Sequence, residues 1–501
     1  MTDRPIPQPS ALDATAATNV AGRARDAGDR ADPDAGLTAD ELAAICGGDV
    51  LARSDRRILG GAVDSRAVEP GNLFVALPGE RTDGHAFVEA ALAAGAAAVL
   101  VSTPPDPDVL AAHDATVVRV GDPLAALQAV AAAWRLRFDP LVVGITGSIA
   151  KTSTKEAVAA VLGAAMPTLR NEGNLNNEIG LPLTVLRLRS SHRAAVLEMG
   201  MYVGGEIADL ARIGRPEIGI VTAVQPVHLS RIGTIDAVER AKGELVEALP
   251  DDGVAILNAD DERVRRMTSR TAARSILYGF ADDADVRADD VASRGPDGMT
   301  FTLVAGGERH TVAIPGLGRL AVHNALAGAA AGLAAGLRPA DIARALGAGW
   351  SAPHRGQLVR AGGVTIVDDS YNASPGSVAA ALELLAGLPG RRVAVLGEMR
   401  ELGDEHEAGH RRSGEEAAAV VDRLVVVGAE AAGIADGAAA AGLAAAAITR
   451  VADRDAAREH LVATLRPGDV VLVKASRGVA LDVLVDELTA ALGPDREAAR
   501  P

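Results

Sequence analysis

The chain has 501 residues, 48% of them hydrophobic and 23% charged, which is a globular balance and excludes a wholly disordered or collagen-like chain. Only 2% of the residues are aromatic, so the cores must be built from aliphatic side chains, and stacking platforms for single-stranded nucleic acid are not expected. The net charge of −16 argues against a general nucleic-acid or anionic-membrane binder, because both targets are polyanions.

The cysteine content, the apolar runs and the N-terminus indicate where the protein works. Cys46 is the single cysteine, which excludes a disulfide framework and a Cys-rich metal site. The longest apolar runs, such as residues 325–337, contain glycines and are shorter than the roughly 18 residues of a membrane span. The N-terminus lacks the apolar block of a signal peptide. We therefore expect a cytoplasmic protein without membrane insertion.

The first part of the chain predicts a tail followed by an α/β domain. Residues 1–36 are rich in Pro, small residues and mixed charge, so they cannot offset their ordering entropy by burial, and we expect a disordered tail. Thr38 followed by Glu41 predicts a capping box at the start of a helix. Strands are expected at residues 72–77, 98–102 and 116–120, and a helix at residues 86–98, within a domain at residues 37–138.

The rest of the chain predicts two further α/β domains, at residues 139–350 and 351–501. The second should contain a parallel sheet with strands at residues 141–145, 194–198, 218–222 and 254–258. A Gly/Asp-rich stretch at residues 281–298 should lead into a hairpin at 299–304 and 310–314 and a helix at 321–336. The third should contain another parallel sheet with strands at residues 364–368, 392–396, 424–427 and 470–473.

The turn after the strand at residues 141–145 has the context of a phosphate-binding loop. Residues 146–152 read Thr-Gly-Ser-Ile-Ala-Lys-Thr and precede a helix that begins near Lys151. Backbone N–H groups and the helix N-terminus can hold phosphate, Lys151 can reach the terminal phosphates, and the Thr152 hydroxyl can meet Mg²⁺. The strict phosphate-loop pattern fails at Ile145 and Ala150, so an ordinary strand–helix turn is the alternative.

Three further residues can each be interpreted in two ways. Glu198 ends a strand beside the loop, where a Mg²⁺ ligand belongs, although a solvated carboxylate would also fit there. His228 is a lone histidine, which is more often structural than a ligand. Lys242 taken alone would be a surface lysine.

The order and spacing of these residues resemble the Mur ligase family of ATP-dependent amide ligases, over about residues 37–492. The N-terminal motifs at residues 64–66, 71–80 and 83–85 are similar to those shared by its MurE and MurF branches. The motifs at residues 171–180, 368–375 and 396–403, with His410 following, are more similar to the MurF branch, and the Asp-Asn-Pro-Arg signature of the MurE branch is absent. Ala150, Ser374 and Glu398 depart from the family pattern, which has Gly, Asn and Asp at those positions.

The resemblance implies an α/β fold with a UDP-substrate domain, a central P-loop ATPase sheet and a Rossmann-like C-terminal domain. It implies roles for residues in this sequence. The catalytic residues would be Lys151, Glu198, His228 and Lys242. The ATP-binding residues would be Thr146, Gly147, Ser148, Ile149, Ala150, Lys151, Thr152, Ser153, Asn324, Arg355 and Asp369. The substrate-binding residues would be Ser65, Arg66, Asn176, Asn177, Tyr371, Asn372, Lys474 and Arg477.

The resemblance also implies cofactors and partners. Thr152, Glu198, His228 and Lys242 would be the metal ligands for two Mg²⁺ ions, with Lys242 acting as a carbamate formed from CO₂. The expected reaction joins D-alanyl-D-alanine to UDP-N-acetylmuramoyl-tripeptide through an acyl phosphate in peptidoglycan precursor synthesis, and the expected state is a monomer. The alternatives are a Mur-like ligase with another amine, as in the MurE branch, and a nucleotide-binding pseudoenzyme that acts as a scaffold.

Overall fold

The structure is a computed structural model that describes residues 32–79, 82–226 and 229–494, without the side chains of residues 229 and 230. The tail prediction for residues 1–31 lies outside the described residues. The last five residues of the predicted tail, 32–36, differ from the prediction, since they include a 3-10 turn at Pro33–Ala35. Asp34 accepts a hydrogen bond from the Ser190 backbone N–H at 3.0 Å, so this end of the segment contacts a distant part of the chain.

The first sheet has five strands in the order β1-β5-β4-β3-β2. Its strands are β1 (Asp49–Ala52), β2 (Gly61–Ala62), β3 (Leu73–Val75), β4 (Ala98–Val101) and β5 (Thr116–Arg119). Its helices are α1 (Ala39–Cys46), α2 (Val88–Ala93), α3 (Pro107–Ala112) and α4 (Pro123–Arg135). The predicted capping box of Thr38 and Glu41 is confirmed. The strand β1 pairs antiparallel with β5, and the other pairs are parallel.

The second sheet has nine strands in the order β14-β13-β12-β11-β10-β9-β6-β8-β7. Its strands are β6 (Leu141–Thr146), β7 (Thr168–Arg170), β8 (Ala194–Glu198), β9 (Ile218–Val221), β10 (Val254–Asn258), β11 (Arg274–Gly279), β12 (Val286–Ser293), β13 (Met299–Ala305) and β14 (Glu308–Ile314). Its helices are α5 (Lys151–Gly163), α6 (Gly180–Val185), α7 (Glu206–Gly214), α8 (Leu229–Ile232), α9 (Ile235–Glu247), α10 (Glu262–Arg265), α11 (Gly318–Ala334) and α12 (Pro339–Gly347). The predicted parallel sheet and hairpin are confirmed. The Gly/Asp-rich stretch that leads into the hairpin also contains the strand β12, which the sequence does not predict.

The position of β6 creates the place where a ligand can bind. The chain runs from β6 to β7 and β8 on one side and then returns to β9 on the other, so β6 lies between β8 and β9. In an open α/β sheet, such a change of direction opens a crevice at the carboxyl ends of the strands. The residues that end β6, β8 and β9 therefore face a common crevice.

The third sheet has six strands in the order β15-β16-β20-β17-β18-β19. Its strands are β15 (Gln357–Ala361), β16 (Val364–Asp368), β17 (Arg391–Gly397), β18 (Arg423–Val427), β19 (Ile448–Val451) and β20 (Asp469–Lys474). Its helices are α13 (Pro375–Ala386), α14 (His406–Ala418), α15 (Ala432–Ala440), α16 (Arg454–Thr464) and α17 (Leu481–Leu492). The predicted strands β16, β20, β17 and β18 pair in parallel, which confirms that prediction. The strand β15, which the sequence did not predict, pairs antiparallel with β16 at one edge.

The Ala-rich helix α11 packs closely on α5, the helix that follows the phosphate-binding loop. A Cβ atom added at Gly328 would lie 3.3 Å from the Ala157 backbone, so small residues set the spacing of the two helices. Farther towards the loop, Thr154 donates a hydrogen bond to Asn324 at 3.1 Å. The Ala-rich composition thereby fixes the direction in which α5 presents its N-terminus.

Within the described residues, no helix has both the length and the apolar character needed to cross a membrane.

The packing predicts that Leu162→Ala, in the buried face of α5, lowers the free energy of unfolding by about 2–5 kcal/mol. Leu162 is fully buried, so the truncation removes apolar contacts and leaves a cavity. The matched control is Leu136→Ala at a side chain that is 62% exposed, which should change stability by less than about 0.5 kcal/mol. Urea unfolding measures both variants, and equal losses would contradict the assigned core.

Candidate active site

The phosphate-binding loop joins β6 to α5 and is fastened to the end of β9. Gly147 has a φ of 150°, and a Cβ atom there would lie 1.9 Å from the Thr222 hydroxyl oxygen, so only glycine fits. The Ser148 N–H donates to the Ala223 carbonyl at 2.8 Å, and the Thr222 hydroxyl donates to the Ile149 carbonyl at 2.6 Å. The loop is thus held from beneath by the neighbouring strand.

Ala150 and Lys151 complete the loop at the start of α5. Ala150 adopts a left-handed backbone with a φ of 65°, a conformation that glycine adopts with less strain. The Lys151 Nζ donates to the Gly147 carbonyl at 2.7 Å, so its side chain folds back across the loop. Burial lowers the pKa of Lys151, the nearby Glu198 opposes that shift, and Arg355 adds to it.

Glu198 is the buried carboxylate of the site. It ends β8, is 2% exposed, and accepts a hydrogen bond at its Oε1 from the Asn176 side chain at 2.7 Å. Its Oε2 is buried and has no hydrogen-bond partner among the described residues. The interpretation of Glu198 as a solvated carboxylate is therefore wrong, and one of its oxygens is available to a cation.

Lys242 lies in α9 and is 1% exposed, so the surface-lysine interpretation is wrong. Burial lowers the pKa of Lys242 well below its ordinary value, and the charge of Lys151 lowers it further. Glu244, Glu198 and Glu206 oppose this shift. The neutral form of this amine is therefore more accessible than that of an exposed lysine.

The donors around Glu198 fit a Mg²⁺ ion as far as the structure describes them. Mg²⁺ prefers oxygen ligands and keeps several waters or phosphate oxygens in its shell. The unpartnered Glu198 Oε2 and the half-buried Thr152 hydroxyl are such oxygens. His228, the fourth predicted ligand, lies outside the described residues. In the described part of the chain, no group of three His, Cys, Asp or Glu residues could hold a metal by itself.

The third sheet contributes a cationic cluster to the opposite side of the cleft. The Arg355 guanidinium lies 4.2 Å from the centre of the Tyr371 ring, and the Arg477 guanidinium lies 5.0 Å from it. Arg477 also donates to the Tyr371 hydroxyl at 2.8 Å. Arg355 reaches the loop itself, because its Nη2 donates to the Thr152 hydroxyl at 3.4 Å. This last contact joins the third domain to the phosphate-binding loop.

Lys474 holds residues 369–372, which include the predicted site residues Asp369, Tyr371 and Asn372. Its Nζ lies 2.6 Å from the Asp369 carboxylate and 3.0 Å from the Asn372 carbonyl. Burial lowers the pKa of Lys474, although the Asp369 carboxylate opposes the shift. The ammonium is thus engaged in fixing residues 369–372.

One cleft of about 980 Å³ brings most of the predicted residues together. The predicted residues that line this cleft are Ser148, Ile149, Ala150, Lys151, Thr152, Ser153, Asn176, Asn177, Glu198, Asn324, Arg355, Asp369, Tyr371, Asn372, Lys474 and Arg477. Thr146 and Gly147, at the start of the loop, do not line the cleft, and the Thr146 hydroxyl donates a hydrogen bond to the Met199 carbonyl. Ser65 and Arg66 are not in the cleft; Arg66 is exposed and paired with Asp64 at 2.6 Å.

The cleft also contains residues that the sequence reasoning missed. They include Gln128, Tyr202, Arg319, Leu320, Trp350 and Arg400. The composition could have pointed to Tyr202 and Trp350, because aromatic side chains are rare in a chain with three Tyr and two Trp. Arg400 lies within a motif that pointed to a family but was given no role of its own.

Comparison with known proteins gives consistent matches along the chain. The sequence matches the families described as "Mur ligase family, catalytic domain" at residues 58–135, "Mur ligase middle domain" at 145–332 and "Mur ligase, glutamate ligase domain" at 354–477. A UDP-N-acetylmuramoyl-tripeptide–D-alanyl-D-alanine ligase of Mycobacterium tuberculosis is 39% identical over 91% of this chain and 98% of its own length.

Solved structures agree with these matches. A MurF crystal structure from Acinetobacter baumannii has a TM-score of 0.81 and 29% identity, covering 91% of this chain and all of that chain. A MurF ligase from Thermotoga maritima in complex with ADP has a TM-score of 0.76 and 28% identity, covering 87% of this chain and 98% of that chain.

The geometry predicts that Lys151→Ala abolishes phosphoryl transfer from the nucleotide and leaves the fold intact. The Lys151 ammonium bridges the loop that would hold the phosphates, and it stabilises the charge that develops there. We expect phosphate release to fall by at least about 100-fold, with an unchanged circular dichroism spectrum. Turnover within about tenfold of wild type would contradict the phosphate-loop assignment.

Proposed function

Because this chain belongs to the Mur ligase family, we propose that it is a MurF-type ligase, which joins D-alanyl-D-alanine to UDP-N-acetylmuramoyl-tripeptide. The reaction consumes ATP and yields ADP, phosphate and the UDP-muramoyl-pentapeptide, a precursor of peptidoglycan. The observation that carries the proposal is the buried Glu198 beside the phosphate-binding loop, with the buried amine of Lys242 and the half-buried amine of Lys151 near it. This is a site for bringing anions together.

The first step activates the tripeptide carboxylate. One carboxylate oxygen attacks the γ-phosphorus of ATP, the bond to the β–γ bridging oxygen breaks, and an acyl phosphate and ADP form. Two anions must approach each other for this step, so positive charge at the γ-phosphate lowers the barrier. Lys151 lies across the loop, and Arg355 reaches the Thr152 hydroxyl from the third domain. The buried Arg355 Nε has no hydrogen-bond partner among the described residues and remains available to phosphate.

Thr152, Glu198, His228 and Lys242 would hold Mg²⁺ in this proposal. When bound, Mg²⁺ would offset the charge repulsion between the carboxylate and the γ-phosphate. Glu198 suits this role because its Oε1 is occupied by Asn176 and its buried Oε2 is not.

Lys242 is proposed to act as a carbamate. The neutral amine attacks CO₂, a proton leaves, and the side chain changes from a cation to an anion that can coordinate Mg²⁺. The lowered pKa of Lys242 supports this modification, because only the neutral amine reacts.

The second step forms the amide. The neutral amine of D-alanyl-D-alanine attacks the acyl carbon, the amine proton is lost, and phosphate leaves with the oxygen that came from the carboxylate. Water would compete for the acyl phosphate, so the second and third sheets must enclose the reacting groups. The Arg355–Thr152 hydrogen bond across the cleft supports such an arrangement.

The remaining predicted residues are assigned by position. Residues 37–138 would bind the UDP end of the substrate, where Ser65 and Arg66 lie outside the cleft. Residues 139–350 would bind ATP, with Asn324 at adenine, and residues 351–501 would bring Asp369 to the ribose. Asn177, Tyr371, Asn372, Lys474 and Arg477 would contact the peptide substrates.

The proposed function is tested by an amine-substrate screen that measures phosphate release. We expect release only when UDP-muramoyl-tripeptide and D-alanyl-D-alanine are both present with ATP. Release with the UDP-muramoyl-dipeptide and a free amino acid would instead identify a MurE-type ligase. No release with any amine, despite nucleotide binding, would identify a scaffold.

A second prediction concerns the carbamate. Lys242→Ala should lose most of the activity, and added formate or acetate should restore part of it by supplying a carboxylate to the vacated space. Lys242→Arg is the matched control, since its guanidinium fills that space with positive charge and should not be rescued. Near-wild-type rates for Lys242→Ala in CO₂-depleted buffer would contradict the proposed role.

A further inference from the structure

Glu198 is held by a hydrogen-bond network that includes Asn171 and Lys155, two residues that have no role in the proposed reaction. Asn171 follows the strand β7, is 1% exposed, and lies beside the end of β8. Its Oδ1 accepts from the Glu198 N–H at 2.8 Å, and its Nδ2 donates to the Glu198 carbonyl at 3.0 Å. The side-chain amide of Asn171 therefore pairs with Glu198 as a neighbouring strand would.

The same side chain also fixes the loop that orients the Glu198 carboxylate. The Asn171 Nδ2 donates its other hydrogen to the Leu175 carbonyl at 2.8 Å. The next residue is Asn176, whose Nδ2 donates to the Glu198 Oε1 at 2.7 Å and whose carbonyl accepts from the Gly200 N–H at 2.8 Å. Asn171 thus connects the backbone of Glu198 to the residue that holds its carboxylate.

A buried lysine anchors this network from the helix α5. The Lys155 Nζ donates to the Asn171 carbonyl at 2.7 Å and lies 2.9 Å from the Glu156 carboxylate. Lys155 is 1% exposed, so its charge lies where an unpaired ammonium would be costly. Because α5 begins at the phosphate-binding loop, this contact ties the position of Glu198 to that loop.

We propose that Asn171 and Asn176 are positioning residues that present the Glu198 Oε2 to the metal. Together they occupy the backbone of Glu198 and its Oε1, and they leave the buried Oε2 as the free oxygen. A ligand carboxylate that is fixed by such hydrogen bonds binds its metal more tightly than one free to rotate. This role differs from the substrate contact that the sequence implied for Asn176. It rests on the proposed function, because it takes Glu198 as a Mg²⁺ ligand.

The test compares Asn176→Ala with wild type in the full-length protein. Asn176 is half-buried in a loop, so the truncation should leave the melting temperature in EDTA within about 2 °C. We expect the Mg²⁺ concentration for half-maximal phosphate release to rise by about tenfold or more. Calorimetry supplies a readout besides activity: ADP binding should weaken when Mg²⁺ is present and stay unchanged in EDTA.

Asn171→Ala should give the same rise in the Mg²⁺ concentration for half-maximal phosphate release, together with a lower melting temperature, because it leaves buried backbone groups unpaired. The matched control is Asn72→Ala in the first sheet. The Asn72 side chain also pairs with backbone, donating to the Leu59 carbonyl at 2.9 Å and accepting from the Glu69 N–H at 3.1 Å. This control should lower the melting temperature without changing the Mg²⁺ dependence.

The outcomes separate this inference from the proposed function. An active wild type whose Mg²⁺ dependence is unaltered by Asn176→Ala would overturn the inference alone. An equal shift in Asn72→Ala would also overturn it, since destabilisation would then be the cause. If the wild type releases no phosphate with both substrates, the proposed function is contradicted. If Asn176→Ala nevertheless weakens ADP binding in the presence of Mg²⁺, the positioning role is kept.

Discussion

The site depends on one electrostatic constraint, the placing of the buried Glu198 carboxylate, the buried Lys242 amine and the half-buried Lys151 amine near one another. Burial lowers the pKa of both lysines, the Glu198 carboxylate opposes that lowering in each, and the charge of Lys151 adds to it at Lys242. Isolated charges in such a place are unstable unless they are paired, neutralised or bound to a ligand. The unpartnered Glu198 Oε2 shows that the pairing within the protein is incomplete. The proposed function completes this pairing with phosphate, a divalent cation and a modified Lys242.

The fold supplies that arrangement through strand order and close helix packing. Because β6 lies between β8 and β9, the phosphate-binding loop, Glu198 and Thr222 meet at one edge of the second sheet. The small residues of α11 let it approach α5 closely, and the Thr154–Asn324 hydrogen bond fixes the two helices near the loop. The third sheet then adds Arg355 from the other side of the cleft, so chemistry requires both parts of the chain to be in place.

Much of this fold was predictable because buried strands leave long apolar runs, and β8 and β10 were predicted at their observed bounds. Very short strands and strands rich in polar residues were missed: β7 has three residues, and in β12 charged residues interrupt the apolar ones, so the stretch resembles a connection. The residues around the loop were predictable from their order and spacing. The role of Asn171 was not, since nothing in a sequence distinguishes an asparagine that pairs with a distant backbone from one in a turn. The approach of two arginine guanidinium groups to the Tyr371 ring likewise depends on tertiary contacts.

The central claim is that the cleft activates a carboxylate by phosphoryl transfer, and transfer of an oxygen isotope tests it most directly. UDP-N-acetylmuramoyl-tripeptide labelled with oxygen-18 in its terminal carboxylate would be incubated with ATP and D-alanyl-D-alanine, and the released phosphate analysed by mass spectrometry. Because phosphate leaves with the oxygen that attacked ATP, each phosphate formed with an amide should contain one labelled oxygen. Amide formation with unlabelled phosphate would contradict the account.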